Sequence, residues 1–198
     1  MPTVTEDDYQ FNLNEVRKTI AVTATKYPLL SGLVYTSPYD FLYQHGRDYR
    51  PIPWAGRYKI GVQKQCFGNA IFLAARFGLK YVEGIALAPT GEAILHGWNT
   101  LPDGELVDST WGNTGLVYLG VEFSVERADD ATWNGDAHVL NDENRGYPIF
   151  QQRWQGEDYA RSWPYSDRLE CLWKHKTTGK KDYTPPPSVK AWLEGEGS

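Results

Sequence analysis

Cys66 opens the stretch CFGNAIFLAARFG, His96 lies in ILHGWNT, and Asp108 lies in ELVDSTW. These three residue types are the parts of a nucleophilic acyl-transfer site. Such chemistry needs a thiolate, a base that makes or holds it, and a third group that orients the base. A thiol at a helix start is favoured as the anion, because the unpaired N–H groups and the helix dipole face it. Cys66 has that place in its predicted helix, whereas a purely packing cysteine could sit anywhere on the apolar face. With a carboxylate accepting from one imidazole nitrogen, the other can face the thiol. Donors for an oxyanion are also needed. The nearest are the Cys66 backbone N–H and the side-chain amide of Gln63 or Gln65, and spacing does not choose between the two glutamines.

Each residue has a plain alternative. A lone helix cysteine is commonly a small buried hydrophobe. A strand histidine is commonly a hydrogen-bonded structural residue, and an aspartate before Ser-Thr a turn or cap. The order of helix-start cysteine, strand histidine and next-strand aspartate is much rarer than its parts. If the loop between the two strands is Leu101–Asp103, Thr100 faces Gly104 and His96 faces Asp108. A two-residue turn would set His96 opposite Ser109 and weaken the pair.

The elements that must position these residues are legible around them. Ala70, Leu73, Ala74 and Phe77 recur on one face of a helix of about three turns, and Gly78 stands where a left-handed cap would end it. LKYVEGIALA, GEAILHGWNT and GELVDSTW are strand-like runs separated by PTG and LPDG turns, which predicts a three-stranded antiparallel meander. A further strand is centred on Val117 to Phe123. Before the core, LNEVRKTIAVTATKYPLL predicts an amphipathic helix capped by Asn12 or Asn14 and stopped by Pro28. Residues 31 to 60 read as an ordered irregular arm, residues 127 to 165 as polar and turn-rich, and SDRLECLWKHK as a short helix or strand. The closing PPP run predicts an extended, partly mobile tail.

Composition bounds the partners. A net charge of −5 with 23% charged residues gives no electrostatic reason for nucleic-acid or anionic-membrane binding. Two cysteines, Cys66 and Cys171, do not make a disulfide framework, although one long-range bridge between them is a minor alternative. The N-terminus lacks a signal-peptide pattern and no run of about 18 apolar residues occurs. The expectation is a single cytoplasmic domain over residues 1–198, with a core at about 60–125, an N-terminal arm at 1–59 and a C-terminal elaboration at 126–198. His45, His138 and His175 have no partners at zinc-ligand spacing, so neither a metal nor an organic cofactor is expected. Glu83 reads as an exposed strand position or an arginine partner, with a pocket carboxylate as the lesser alternative. Trp98 and Trp111 read as sheet packing, with shielding of the thiolate pair as a second role. The eight tryptophans, among them Trp133, Trp154, Trp163 and Trp173, read chiefly as packing for irregular segments, with an aromatic-lined groove as the alternative.

CFGNA, YVEGIA, HGWN and DGELVDSTW together resemble the core of transglutaminase-like and related papain-like cysteine enzymes, over about residues 60 to 123. The resemblance implies an α+β fold in which the cysteine-bearing helix packs on an antiparallel sheet. It implies Cys66 as nucleophile, His96 as general base and acid, and Asp108 as the orienting carboxylate. Phe67 stands where animal-type transglutaminases often carry tryptophan, and their flanking β-sandwich domains have no room in this chain. The expected activity is therefore that of a cysteine peptidase or amidase on a protein, peptide or other amide substrate. Transglutaminase or amine acyl transfer, and an inactive binding module on the same scaffold, are the alternatives.

Overall fold

The computed structural model describes residues 5–26, 33–54, 56, 58, 61–133, 138–143, 146–151, 153, 154 and 156, without the side chains of Asp130 and Trp133. Cys171, His175, Trp163, Trp173, Pro28, the SDRLECLWKHK segment and the proline-rich tail lie outside the described residues.

Helix α1, Glu6–Lys26, starts well before the asparagines expected to cap it. The Thr5 hydroxyl accepts from the Asp8 backbone N–H at 3.2 Å and donates to the Asp8 carboxylate at 2.6 Å, which caps one of the first-turn N–H groups. Tyr9, Leu13, Val16 and Ile20 form its buried stripe. The arm expected to be irregular holds helix α2, Pro38–His45, and strand β1, Arg47–Tyr49. SPYD reads as a turn because Ser and Pro fix local backbone there, and the same chemistry starts α2. Ser37 accepts from the Asp40 N–H at 3.1 Å, and Pro38 sits where no N–H is needed.

Helix α3 runs over Cys66–Phe77 and ends, as expected, at a left-handed Gly78 whose N–H bonds back to the Ala74 carbonyl. Ala70, Leu73 and Ala74 are buried with Ile71 and Phe72, but Phe77 is half exposed. The strands β2 (Lys80–Leu87), β3 (Ala93–Thr100), β4 (Leu106–Val107) and β5 (Val117–Phe123) follow, then helix α4, Val125–Trp133, in what reads as a polar segment. The fold is α+β, and its five-stranded antiparallel sheet has the order β1-β5-β2-β3-β4. Among the described residues no helix is long and apolar enough to cross a membrane.

Two similar turns set the register. Ala88-Pro-Thr-Gly-Glu92 joins β2 to β3, and Leu101-Pro-Asp-Gly-Glu105 joins β3 to β4. In each, the glycine has positive φ and its N–H bonds to the carbonyl three residues back (Gly91 to Ala88, Gly104 to Leu101). The second loop is longer than the three residues expected, so Thr100 pairs with Leu106 and Asn99 with Val107. Asp108 therefore does not lie directly opposite His96. Extending the pairing sets it opposite Trp98, two residues along, and a slip of two keeps a side chain on the same face.

The pleat divides the sheet into two cores. Tyr81, Ile85, Leu87, Val107, Val117, Leu119, Val121 and Phe123 face the larger one, together with the buried residues of all four helices. Tyr49, Val82, Ala86, Trp98, Leu106 and Tyr118 face the smaller one, where Trp111 packs against them. His96, two residues from Trp98, points to the smaller side, while α3 packs on the larger.

Candidate functional site

Cys66 begins α3 on one side of the sheet and His96 projects from the other, so their meeting depends on how closely the helix start approaches β3. Gly97 permits that approach. A Cβ there would stand 2.8 Å from the Phe67 ring Cδ1, 3.1 Å from its Cα and 3.3 Å from its backbone nitrogen, so the ring would have to shift and the helix start to give by a few tenths of an ångström. The Asn99 amide then holds the next turn by donating to the Ala70 carbonyl at 2.8 Å and the Lys80 carbonyl at 3.1 Å. Cys66 is a free, partly exposed thiol, near enough to the buried His96 imidazole to act on its titration.

His96 Nε2 lies 2.8 Å from Asp108 Oδ2, which leaves Nδ1 for the thiol. Burial works against a charged imidazole here, but the hydrogen bond and charge of Asp108, with a contribution from nearby Cys66, outweigh it and raise the His96 pKa to about 9. The Trp111 ring stacks on the imidazole with centroids 4.0 Å apart. Trp111 thus covers His96 as well as packing the sheet, and Trp98, almost wholly buried, lies beyond it at 6.3 Å.

Asp108 is fixed on every side. Its Oδ1 accepts from the backbone N–H groups of Thr110 (2.9 Å) and Trp111 (3.2 Å), while Oδ2 accepts from the Tyr118 hydroxyl at 2.8 Å as well as from His96. The carboxylate is thus both the turn-former that an aspartate before Ser-Thr suggests and the partner of the imidazole. Burial first, and then the Asp108 charge, push the Tyr118 phenol well above its ordinary pKa, so it stays a proton donor to the carboxylate. Tyr118 is a site residue that sequence reasoning missed, although strand parity from Gly120 and Glu122 would have placed it on the His96 face. Asn113 closes the loop by accepting from the Asp108 N–H at 2.7 Å and donating to the Leu106 carbonyl at 3.1 Å.

Asn69, one turn into α3, joins the two halves of the site. Its side chain bonds both backbone groups of Val62 (3.1 and 2.8 Å) and donates to the Thr110 hydroxyl at 2.9 Å. The Gly61 N–H adds a bond to the Ser109 carbonyl at 2.6 Å. The segment leading into Cys66 is thereby fastened to the loop that carries Asp108. Of the two glutamines considered as oxyanion donors, Gln63 is exposed and Gln65 is half-buried at the helix-cap position, where its side chain makes no capping bond. The first-turn N–H groups of α3 therefore have no side-chain cap.

Glu83 corrects the reading of an exposed strand position. It is completely buried, opposite Gly97 in β2, and accepts from the Tyr81 hydroxyl (2.7 Å) and the N–H groups of Val139 (2.6 Å) and Leu140 (2.9 Å). His138 Nδ1 lies 3.2 Å from Glu83 Oε2 but off the hydrogen-bonding direction. The His138 ring stacks on Phe67, the residue after Cys66, at 4.2 Å. A charge in the middle of an otherwise apolar strand was the available signal. Tyr35 and His45 form a separate contact, hydroxyl to Nε2 at 2.6 Å, away from this cluster. Among the described residues no group of three His, Cys, Asp or Glu side chains is placed to hold a metal ion. A space of about 260 Å³ lies behind β4, lined by residues including Trp54, Tyr58 and Leu106, and contains none of Cys66, His96 or Asp108.

Comparison of the chain with protein families, with curated proteins and with solved structures finds no match.

Proposed function

We propose that this protein is a thiol acyl-transfer enzyme, a peptidase or amidase, with Cys66 as nucleophile, His96 as general base and acid, and Asp108 as the orienting carboxylate. The observation that carries the reading is the buried imidazole of His96, bonded to Asp108 at 2.8 Å, with Cys66 near enough to act on its titration. An imidazole raised to about 9 holds its proton at neutral pH, which suits a thiolate–imidazolium pair. In the reaction the Cys66 sulfur forms a bond to the amide carbonyl carbon. The tetrahedral oxyanion takes bonds from the uncapped first-turn N–H groups of α3, Cys66 among them, with the side-chain amide of Gln63 or Gln65 as a further donor. The C–N bond breaks as His96 gives its proton to the leaving nitrogen. Water, losing a proton to His96, then attacks the thioester and releases the carboxylic acid and the thiol. The chain's likeness to the transglutaminase-like and papain-like core belongs with this proposal and supports the same roles.

The test is selective alkylation. Intact-mass analysis after iodoacetamide at pH 6 should show one fast modification, lost in Cys66→Ala and kept in Cys171→Ala. Equal labelling of both cysteines, or of neither in the folded protein, overturns the reading. Fast labelling of Cys66 without hydrolysis of any peptide or amide in a broad panel favours amine transfer or a binding role on the same scaffold.

A further inference from the structure

The space of about 260 Å³ behind β4 combines two aromatic residues with a charge that nothing answers. Trp54 and Tyr58, from the segment before Cys66, line it and are partly buried against the larger core. The Tyr58 ring is held by that of Phe77, with centroids 5.2 Å apart. Leu101, Leu106 and Val107 are buried and supply aliphatic lining. Asn113 also lines the space, but its amide is engaged at both ends, with the Asp108 N–H and the Leu106 carbonyl. Glu105 is the single charged residue of the lining, and it is half-buried. Its backbone is fixed by the turn: the Leu101 N–H donates to its carbonyl at 2.8 Å, and the Asp103 carboxylate accepts from its N–H at 3.1 Å. Its own carboxylate has no hydrogen bond or ion pair among the described residues.

An unpaired carboxylate beside aromatic rings is complementary to a cation, and the rest of the lining selects its kind. A metal ion needs several oxygen or nitrogen ligands, and no group of three His, Cys, Asp or Glu side chains among the described residues is placed to supply them. A primary ammonium is strongly hydrated and yields its water to oxygen acceptors, whereas two rings and three aliphatic side chains offer mainly carbon. An alkylated ammonium has few or no N–H groups to satisfy, and its methyl groups suit ring faces and aliphatic walls. We propose that this space binds the alkylated ammonium head of a ligand, with Trp54 and Tyr58 against its methyl groups and Glu105 as the counter-charge. The site stands apart from the thiol reading, since none of Cys66, His96 and Asp108 lines it.

The probes are choline, its neutral carbon isostere (a tert-butyl group in place of the trimethylammonium) and ethanolamine. Each is titrated into the full chain carrying ¹³C in its leucine and valine methyl groups, with the Val107 signals identified by their loss in Val107→Ile. Choline should give saturable shifts of the Val107 methyls at millimolar concentration, with an affinity tenfold or more above that of the isostere and of ethanolamine. Glu105→Gln keeps the size and removes the charge, and Trp54→Leu removes a ring; each should weaken choline at least tenfold. Binding of the isostere as tight as that of choline, no saturation up to about 50 mM choline, or an unchanged affinity in Glu105→Gln overturns the proposal. Should Trp54→Leu fail to fold, Glu105→Gln and the isostere decide. A short peptide carrying trimethyl-lysine separates the sources of the head group. Tighter binding than choline assigns it to a partner's side chain and weaker binding to a free molecule, and either result upholds the site.

Discussion

Replacing Asp108 with asparagine should change the protonation of His96 before it changes anything else. The imidazole pKa stands at about 9, against an ordinary value near 6.5. At pH 7.5 that difference takes the charged fraction from about one tenth to nearly all of the molecules, a preference of about 3 kcal/mol for the imidazolium at about 1.4 kcal/mol per tenfold. Burial opposes the charge, so Asp108 and Cys66 supply more than this net amount. A neutral amide at position 108 withdraws the counter-charge while keeping the size, and the titration should fall by two or more pH units. The sign of the stability effect follows. A folded value raised above the unfolded one stabilises fully below about pH 6.5, and that contribution fades as pH rises through about 9. The Tm advantage of the unaltered protein over Asp108→Asn should therefore be largest in mild acid and shrink towards pH 9. Long-range ¹H–¹⁵N correlation of ¹⁵N-histidine protein reads the imidazole directly, with the His96 signal identified by its loss in His96→Gln. A midpoint at or below about 6.5 in the unaltered protein refutes the reasoning, as does a midpoint near 9 that Asp108→Asn leaves in place.

Two further changes probe the supports of the site. Gly97→Val puts a branched side chain against the Phe67 backbone and should push the start of α3 off β3. Cys66 alkylation at pH 6 should slow at least tenfold while far-UV circular dichroism keeps its helical content, and unchanged alkylation would contradict the role given to Gly97. Glu83→Leu leaves the Val139 and Leu140 N–H groups and the Tyr81 hydroxyl without their acceptor. Denaturant melts should report a loss of about 3–5 kcal/mol, and a loss under about 1 kcal/mol would show that the carboxylate is dispensable.

Where the sequence was legible, short-range chemistry was responsible. Gly78 after an apolar run ended α3 as expected, and the PTG and LPDG turns delimited β2, β3 and β4. The partnership of His96 with Asp108 followed from strand order, even though the loop length was misjudged, because an error of two residues leaves facing unchanged. A misjudgement of one would have separated them. What stayed hidden depended on long-range partners. Ser37-Pro38 looks like a turn until Phe41 and Leu42 are seen to bury in the main core. Helix α4 is polar overall and is held by Ala128 and Ala131, too small to give a periodic signal. Glu83 looked exposed because the N–H groups that donate to it, those of Val139 and Leu140, are more than fifty residues away in the chain. Asn69 belongs to the same class, since its bond to Thr110 exists only once α3 and the Asp108 loop are assembled.

The division of the sheet into two cores has a consequence for when the candidate site is assembled. Cys66 depends on the helical side, whereas His96, Asp108, Trp111 and Tyr118 depend on the aromatic side. A chain that has completed one side alone does not bring Cys66 and His96 together. If Cys66 is the nucleophile proposed above, its reactivity would report finished folding, because a partly unfolded copy would lack the site until both sides of the sheet are closed.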